Sequence, residues 1–254
     1  MKHILLSLCF AMSLQMLQAQ TVSRMSDLKP QEKADAVCLK LTGKLSTTGN
    51  SDFRQMRDLC YQLRTIDLSG ADCEAIPNNA FHSRKVLEKV LFPENLRTIG
   101  SQAFFACKSL TQVNLPKTLT RVGDAAFSSC ERLKSITIEG TPSLGEFAFA
   151  RLAGLRTLRV TSATPPVACA STFDGIDRKK VKLIVPKGSE WKYRKAEGWS
   201  TFFSKPTNEN KLCNPQKVLV PLPASLQVET SLPALSVNKN WKVVASEALS
   251  NEKL

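Results

Sequence analysis

Residues 99–115 decide the fold: they read IGSQAFFACKSLTQVNL, and the chain repeats their pattern on both sides. The repeated element is an Ala-Phe pair whose phenylalanines, Phe81, Phe104, Phe127 and Phe149, are 23, 23 and 22 residues apart. Apolar residues stand five residues before each phenylalanine and six, nine and eleven residues after it. Because one unit of this length cannot bury its own apolar residues, the repetition predicts units stacked on a continuous core.

Each unit predicts one strand and one returning segment. The positions nine and eleven residues after Phe104 are Val113 and Leu115, which enclose one polar residue. A period of two is typical of a short strand with one buried face. The Ala-Phe half is expected to form a turn of α- or 3₁₀-helix. Stacking then predicts an α/β repeat solenoid with a parallel sheet and an internal ladder of phenylalanine rings.

The segments beside the repeats are predicted to close the two ends of the stack. Residues 34–48 alternate like an edge strand, and residues 52–61 indicate a helix with an acidic cap. At the other end Tyr193, Trp199 and Phe202 are expected to cover the last unit, with a sugar-binding platform as the alternative. The predicted division of the chain is a signal peptide at 1–20, an N-terminal cap with a first unit at 21–75, repeats at 76–166, a C-terminal unit with a cap at 167–205, a linker at 206–217 and an incomplete α+β domain at 218–254.

The start of the chain resembles a secretory signal peptide. A short polar segment precedes the mostly apolar residues 4–17. Ala19 is a small residue of the kind that precedes the cleavage site of a signal peptide. No later stretch approaches the roughly 20 apolar residues that span a bilayer, which predicts no transmembrane segment. We therefore expect export to the cell surface, the periplasm or the extracellular space.

The formal net charge is +13, and the excess lies on the repeats and on the segment that follows them. This charge leaves two interpretations open: an anionic partner such as an acidic polysaccharide, or a solvated basic surface. Export argues against nucleic acid as the partner. The short run Arg178–Lys180 also lacks the interleaved aromatic residues on which bases stack.

Eight cysteines are present, and seven remain when Cys9 of the signal peptide is set aside. An odd number without a C-x-x-C pair predicts neither a small disulfide scaffold nor a zinc site. Cys107 and Cys130 stand three residues after their phenylalanines, where the next unit has Leu152. A position shared by cysteine and leucine predicts buried thiols, with a Cys107–Cys130 disulfide as the alternative.

The repeat also carries a family resemblance. The unit IG-x-x-AF-x-x-C-x-x-L-x-x-V-x-LP, the entry IDLSGADCEAIP and the ending ATPP…LIVPKGS…Y…GW resemble BspA-like bacterial leucine-rich-repeat surface proteins over about residues 35–205. The resemblance implies a curved solenoid outside the cell, with roles in adhesion and in the binding of host or matrix proteins.

The same resemblance implies that the concave side of the parallel sheet is the binding surface. The candidate residues are mainly polar and occupy the strand positions eight and ten residues after each phenylalanine, with one earlier strand added. They are Thr65, Asp67, Lys89, Leu91, Gln112, Asn114, Ser135, Thr137, Thr157 and Arg159. The alternative is that they are only the solvated side that alternation requires.

Residues 218–254 carry a second resemblance, to the start of the small N-terminal domain of family 20 glycoside hydrolases, the β-N-acetylhexosaminidases. The similar segments are VPLP at 220–223, Ser225-Leu226 and LSVNKNWKVVA at 235–245. TSLP at 230–233 replaces the glycine expected midway. That family's catalytic Asp-Glu pair lies on a downstream barrel, which is expected to be missing here.

The remaining residues predict no catalytic, metal-binding or cofactor-binding site. His82 is the single histidine after the signal peptide, and G-x-S-x-G, P-loop and G-x-G-x-x-G motifs are absent from the sequence. The resulting hypothesis is an exported module that binds a protein or glycan ligand without catalysis. The alternative is a truncated β-N-acetylhexosaminidase whose repeats target it to its glycan.

Overall fold

The computed structural model describes residues 19–48 and 51–203. The predicted signal sequence up to residue 18, the linker and the segment at 218–254 lie outside these described residues. The strands are β1 (Gln20–Val22), β2 (Cys38–Leu41), β3 (Thr65–Asp67), β4 (Ala75–Ile76), β5 (Lys89–Leu91), β6 (Thr98–Ile99), β7 (Gln112–Leu115), β8 (Arg121–Val122), β9 (Ser135–Ile138), β10 (Ser143–Leu144), β11 (Thr157–Val160) and β12 (Lys182–Ile184). The helices are α1 (Pro30–Asp35), α2 (Asp52–Leu59) and α3 (Glu190–Lys195), with 3₁₀-helices at Met25–Asp27, Arg178–Lys180 and Ser200–Phe202.

Two open parallel sheets run along the stack of units. The larger has eight strands in the order β1-β2-β3-β5-β7-β9-β11-β12, which confirms the predicted parallel sheet and repeat solenoid. The smaller has four strands in the order β4-β6-β8-β10. The sequence did not predict the smaller sheet, because its strands are two residues long and leave no alternating pattern.

A column of phenylalanine rings fills the interior, as the 23-residue repeat predicts. Phe81, Phe104, Phe127, Phe149 and Phe173 are fully buried, and the centroids of neighbouring rings are 5.1 to 5.8 Å apart. The rings lie close to parallel, and such pairs contribute roughly 0.5–1.5 kcal/mol each beyond their burial. The ladder therefore couples each unit to the next along the whole stack.

The Ala-Phe half of each repeat unit is a run of hydrogen-bonded turns, so the predicted α- or 3₁₀-helix there is wrong. Alternate N–H groups point along the stack: Phe104 donates to the carbonyl of Ala126 at 2.8 Å, and Ala106 donates to that of Ser128 at 2.9 Å. Gln102 and Ala106 reach this geometry with positive φ angles of 55° and 56°. Since these amides bond to the next unit, the segment is a second ladder rather than a helix.

Glycine lets neighbouring units approach closely just before the Ala-Phe half. A Cβ atom at Gly123 would lie 2.5 Å from the backbone nitrogen of Ser101 and 2.7 Å from the carbonyl carbon of Gly100. A Cβ at Gly100 would meet the preceding unit equally closely. A methyl group does not fit at these positions, so this glycine is a packing requirement of the stack.

The N-terminal edge of the larger sheet is not where the sequence placed it. β2 carries part of the predicted edge strand at 34–48, but it lies between β1 and β3. β1 begins at Gln20, the last residue of the predicted signal peptide at 1–20 and the first residue after Ala19, and it pairs with β2 in parallel register. The prediction of an edge strand at 34–48 is therefore wrong, and residues 20–22 form the edge.

Two polar residues at the start of helix α2 have different tasks: Ser51 caps the helix, and Asp52 ties it to the N-terminal segment. The Ser51 hydroxyl accepts a hydrogen bond from the N–H of Arg54 at 3.1 Å, so serine is the cap rather than an acidic residue. The buried Asp52 carboxylate instead accepts the N–H groups of Met25 and Ser46, each at 2.8 Å. One carboxylate thus joins three separate segments.

The far end of α2 is closed by an arginine from the first repeat unit. Arg84 stands three residues after Phe81, and its guanidinium donates to the carbonyls of Arg57 and Cys60. These are carbonyls of the kind that a helix C-terminus leaves without a partner. Burial lowers the pKa of Arg84, although the group remains a cation.

The C-terminal end is covered by aromatic residues, as predicted. Tyr193 and Trp199 are fully buried, and Phe202 is half-buried. The rings of Trp199 and Phe202 meet Phe173 edge-on, with centroids 4.9 and 5.2 Å away. The buried faces of Tyr193 and Trp199 are closed to a ligand, so the alternative of an open sugar platform on this cluster is wrong.

Candidate ligand-binding face

The predicted ligand-binding residues lie together on the solvent-facing side of the eight-stranded sheet. The residues between them point into the core: Ile66, Val90, Val113, Ile136 and Leu158 are at most 5% exposed. All ten candidates are exposed or half-buried. The alternation of each strand therefore puts them on the side opposite the core.

The strand register assembles these candidates into two rows. Thr65, Lys89, Gln112, Ser135 and Thr157 are successive Cα partners across five neighbouring strands. A second row contains the paired Asp67 and Leu91 and, further along, Asn114, Thr137 and Arg159. At about 4.8 Å between strands, five strands span about 19 Å.

The register also extends both rows to residues that the sequence did not single out. Cys38 and Lys40 on β2 pair with the row members on β3, and Lys182 and Ile184 on β12 pair with those on β11. The alternation at 34–48 and in VKLIVPKG indicates these strands, but alternation alone does not show that they continue the two rows. We define the sheet face as Cys38, Lys40, Thr65, Asp67, Lys89, Leu91, Gln112, Asn114, Ser135, Thr137, Thr157, Arg159, Lys182 and Ile184.

The sheet face carries an excess of positive charge. Its single acidic residue, Asp67, lies 3.8 Å from the Lys40 ammonium group and accepts two hydrogen bonds from Ser69. Its other basic residues are Lys89, Arg159 and Lys182, which form no ion pair among the described residues. Three cations without an acidic partner favour an anionic ligand.

The polar side chains of the sheet face have unused hydrogen-bonding groups. Within the described part of the chain, Gln112, Asn114, Ser135, Thr137 and Thr157 make no side-chain hydrogen bond. Amide groups both donate and accept, as do hydroxyl groups. These positions therefore hold a strip of groups that a bound peptide or glycan can engage.

The two repeat cysteines lie in the core, away from this face. Cys107 and Cys130 are fully buried free thiols, as their shared position with leucine predicts. Each Sγ donates to a carbonyl of the preceding unit at 3.1 Å, from Cys107 to Phe81 and from Cys130 to Phe104. Burial raises the pKa of Cys107 to about 12. The alternative disulfide between them is not formed in the structure.

Groups with the chemistry of catalysis are sparse in the described ranges. His82 is half-buried and stacks on Phe105 with a centroid distance of 5.0 Å. No cluster of three or more His, Cys, Asp or Glu side chains that could hold a metal ion occurs within residues 19–48 and 51–203. The prediction of a module without catalysis stays a prediction.

Parallel strands, turns and a phenylalanine column repeated every 22 to 24 residues define a leucine-rich-repeat solenoid. The BspA type leucine rich repeat family model matches residues 40–171 in six copies. The chain belongs to this family.

Two solved structures are similar to this chain. One is a leucine-rich repeat protein from Bacteroides ovatus, with 22% identity over 50% of this chain and 31% of that one and a TM-score of 0.41. The other is the pneumococcal vaccine antigen PcpA, with 24% identity over 56% of this chain and 39% of that one and a TM-score of 0.44. The aligned part therefore spans less than two fifths of either structure. No curated protein matches the chain.

Two further expectations concern the membrane and the end of the chain. Among the described residues, no helix is both long and apolar enough to cross a membrane. The resemblance of 218–254 to the N-terminal domain of β-N-acetylhexosaminidases falls outside the described residues and outside the family match, which ends at residue 171. It stays a prediction.

Proposed function

We propose that this protein is an exported leucine-rich-repeat module that binds a protein or glycan ligand outside the cell through the sheet face, without catalysis. The observation that carries the proposal is the strip of amide and hydroxyl side chains at Gln112, Asn114, Ser135, Thr137 and Thr157. They project from consecutive strands, and they are not engaged with the described residues. Polar groups arranged in this way suit a ligand laid across the strands.

Hydroxyl groups elsewhere in the solenoid behave differently. Thr118, Thr120 and Thr161 each donate to a backbone carbonyl of the preceding unit at 2.7 to 2.9 Å. Those hydroxyls help to join the units. Because the hydroxyls of the sheet face have no such structural task, they are available to a ligand.

The charge of the sheet face supports an anionic ligand. Lys89, Arg159 and Lys182 lie on β5, β11 and β12, so the positive charge is distributed along the sheet rather than concentrated at one point. Charges placed in this way accelerate the encounter with an anionic partner and make binding dependent on salt.

Export is supported by the resemblance of residues 1–20 to a signal peptide and by the family to which the repeats belong. The alternative of a truncated β-N-acetylhexosaminidase depends on residues 218–254, and no observation on the described residues favours it. The binding module is therefore the function we propose.

The test is binding of the purified chain to an array of glycans and matrix proteins at low and high salt. We expect a signal that weakens as salt rises, and we expect the double variant Lys89→Glu/Arg159→Glu to lose at least tenfold in affinity. The matched control is Lys85→Glu/Lys117→Glu, which reverses two exposed charges outside the sheet face. Absence of any ligand, or equal binding by both double variants, contradicts the proposal.

A further inference from the structure

A cavity of about 440 Å³ lies at the C-terminal end of the smaller sheet, away from the residues of the sheet face. One wall is formed by residues 165–168, and the other by α3 with the two residues that follow it. The first wall continues the sheet, since the N–H of Leu144 in β10 donates to the carbonyl of Val167 at 2.8 Å. The volume lies within the range of roughly 300–1,000 Å³ in which small ligands bind.

Both walls of this cavity are held in place by buried side chains. The indole N–H of Trp199 donates to the carbonyl of Pro166 at 2.8 Å, and the hydroxyl of Tyr193 donates to that of Ser162 at 2.8 Å. Gly198, with a φ of 74°, packs against the carbonyl of Cys169. The backbone of both walls is therefore fixed, so binding does not have to order it.

Trp191 lines this cavity and has no role in closing the solenoid. Its side chain is 57% exposed, whereas the cap residues Tyr193 and Trp199 are fully buried. Val167 on the opposite wall is 70% exposed. Two large apolar side chains that face one cavity and remain in water form a small apolar surface suited to the face of a ring.

Positive charge adjoins this apolar surface. The ammonium groups of Lys192 and Lys195 lie over the Trp191 ring in cation–π contacts, 5.8 and 5.5 Å from its centroid. Neither forms an ion pair among the described residues, and the lining contains one carboxylate, that of Glu197. The cavity thus combines a ring-sized apolar surface with two cations and one hydrogen-bond acceptor.

The other wall disfavours an extended peptide as the occupant. Pro165 and Pro166 have no N–H group to donate, and the carbonyl of Pro166 already accepts the indole of Trp199. A peptide that adds to a sheet edge is recognised through its backbone. With two prolines in this wall, and with the Val167 carbonyl already accepting the N–H of Leu144, few backbone groups remain for such pairing. A small anionic ligand that packs one face of its own ring on the apolar surface fits the lining better.

We propose that this cavity binds an acidic sugar residue of a glycan, a hexuronic or sialic acid, independently of the sheet face. The apolar face of the sugar ring packs between Trp191 and Val167, and its carboxylate pairs with Lys192 and Lys195. Its hydroxyl groups donate to the Glu197 carboxylate.

The test is titration of the purified full chain with three acidic oligosaccharides: 3′-sialyllactose, a hyaluronan tetrasaccharide and tetragalacturonic acid. Lactose and cellotetraose serve as neutral probes, and binding is followed by tryptophan fluorescence and calorimetry. We expect at least one acidic probe to bind and both neutral probes to bind at least tenfold more weakly. Trp191→Ala should weaken binding of the acidic probe at least tenfold, and Lys192→Gln/Lys195→Gln should remove the preference for charge.

The matched control is Tyr61→Ala, which removes an aromatic side chain of similar exposure, 58%, from the other end of the stack. It should bind the acidic probe as the unchanged protein does. The melting temperature of each variant checks that it is folded. The proposal is overturned if no acidic probe binds at 10 mM, if neutral probes bind equally well, or if Trp191→Ala binds normally. Equally tight binding of tetraglutamate or of anionic phospholipid vesicles also overturns it.

Discussion

The two faces of the eight-stranded sheet differ in how strictly the residue type repeats, although they belong to the same strands. The inner positions of β3, β5, β7, β9 and β11 are all aliphatic: Ile66, Val90, Val113, Ile136 and Leu158. The outer positions beside them change chemistry with each strand: Thr65, Lys89, Gln112, Ser135 and Thr157. The packing of one unit on the next restricts the residue type only at the inner positions. The outer positions can vary from strand to strand, so they remain available for binding a ligand.

The largest effect should come from breaking the interior ladder. Phe127 is fully buried and stacks on Phe104 and Phe149 at 5.1 and 5.6 Å. We expect Phe127→Ala to lower the free energy of unfolding by about 3–5 kcal/mol, because it leaves a cavity between two rings. Urea unfolding measures this change, with Ser135→Ala on the outer side as a control that stays within about 0.5 kcal/mol. Similar losses in both variants would contradict the division between the two faces.

An intermediate effect should follow from separating two units at the backbone. Gly123→Ala places a methyl group 2.5 Å from the backbone nitrogen of Ser101, and we expect it to cost about 1–3 kcal/mol of stability. Gly70→Ala is the control, since the nearest atom to its Cβ is the methyl group of Thr42, at 3.3 Å, and the nearest backbone atom is 3.8 Å away. Thermal unfolding of both variants checks the difference. A Gly123→Ala variant as stable as Gly70→Ala would show that the units are not packed this closely.

The smallest effect should be a gain in stability. Ala106 has a φ of 56°, which costs a residue with a Cβ about 1–2 kcal/mol. Ala106→Gly relieves that strain but gives the unfolded chain more freedom, which costs about 0.4–1 kcal/mol. We therefore expect a net stabilisation of about 0.5 kcal/mol in chemical denaturation. Ala103→Gly, at a buried residue without positive φ, should instead destabilise the protein. A loss of stability in both variants would contradict the claim that the backbone at Ala106 is strained.

The predictable parts of the fold are those in which apolar residues recur at a regular spacing in the sequence. The spacing of the phenylalanines predicted the ladder, and alternation around Val113 and Ile136 predicted the larger sheet and its outer rows. The turns of the Ala-Phe half were not predictable. Their left-handed positions hold residues such as Gln102 and Ala106 rather than glycine, and the N–H groups of these two residues bond to carbonyls 22 residues away.

The ends of the stack were harder to predict than its middle, because no repeat constrains them. β1 at Gln20–Val22 is too short to show alternation, so the sequence predicts β2 as the edge instead. The prediction that Tyr193 and Trp199 belong to the cap is confirmed, but nothing in the sequence separates them from Trp191, which is exposed. Only the packing of α3 distinguishes the covering residues from the one that lines a cavity.

The most direct test of the difference between the two faces is the affinity of Thr137→Glu, which places a bulkier acidic side chain in the middle of the basic sheet face, for the ligand that the array identifies. Thr137 lies on β9 between Asn114 and Arg159, in the middle of the sheet face, and its side chain makes no hydrogen bond among the described residues. We predict a Kd raised at least tenfold, with a melting temperature within about 2 °C of the unchanged protein. An unchanged Kd in the folded variant would contradict the assignment of ligand binding to the sheet face.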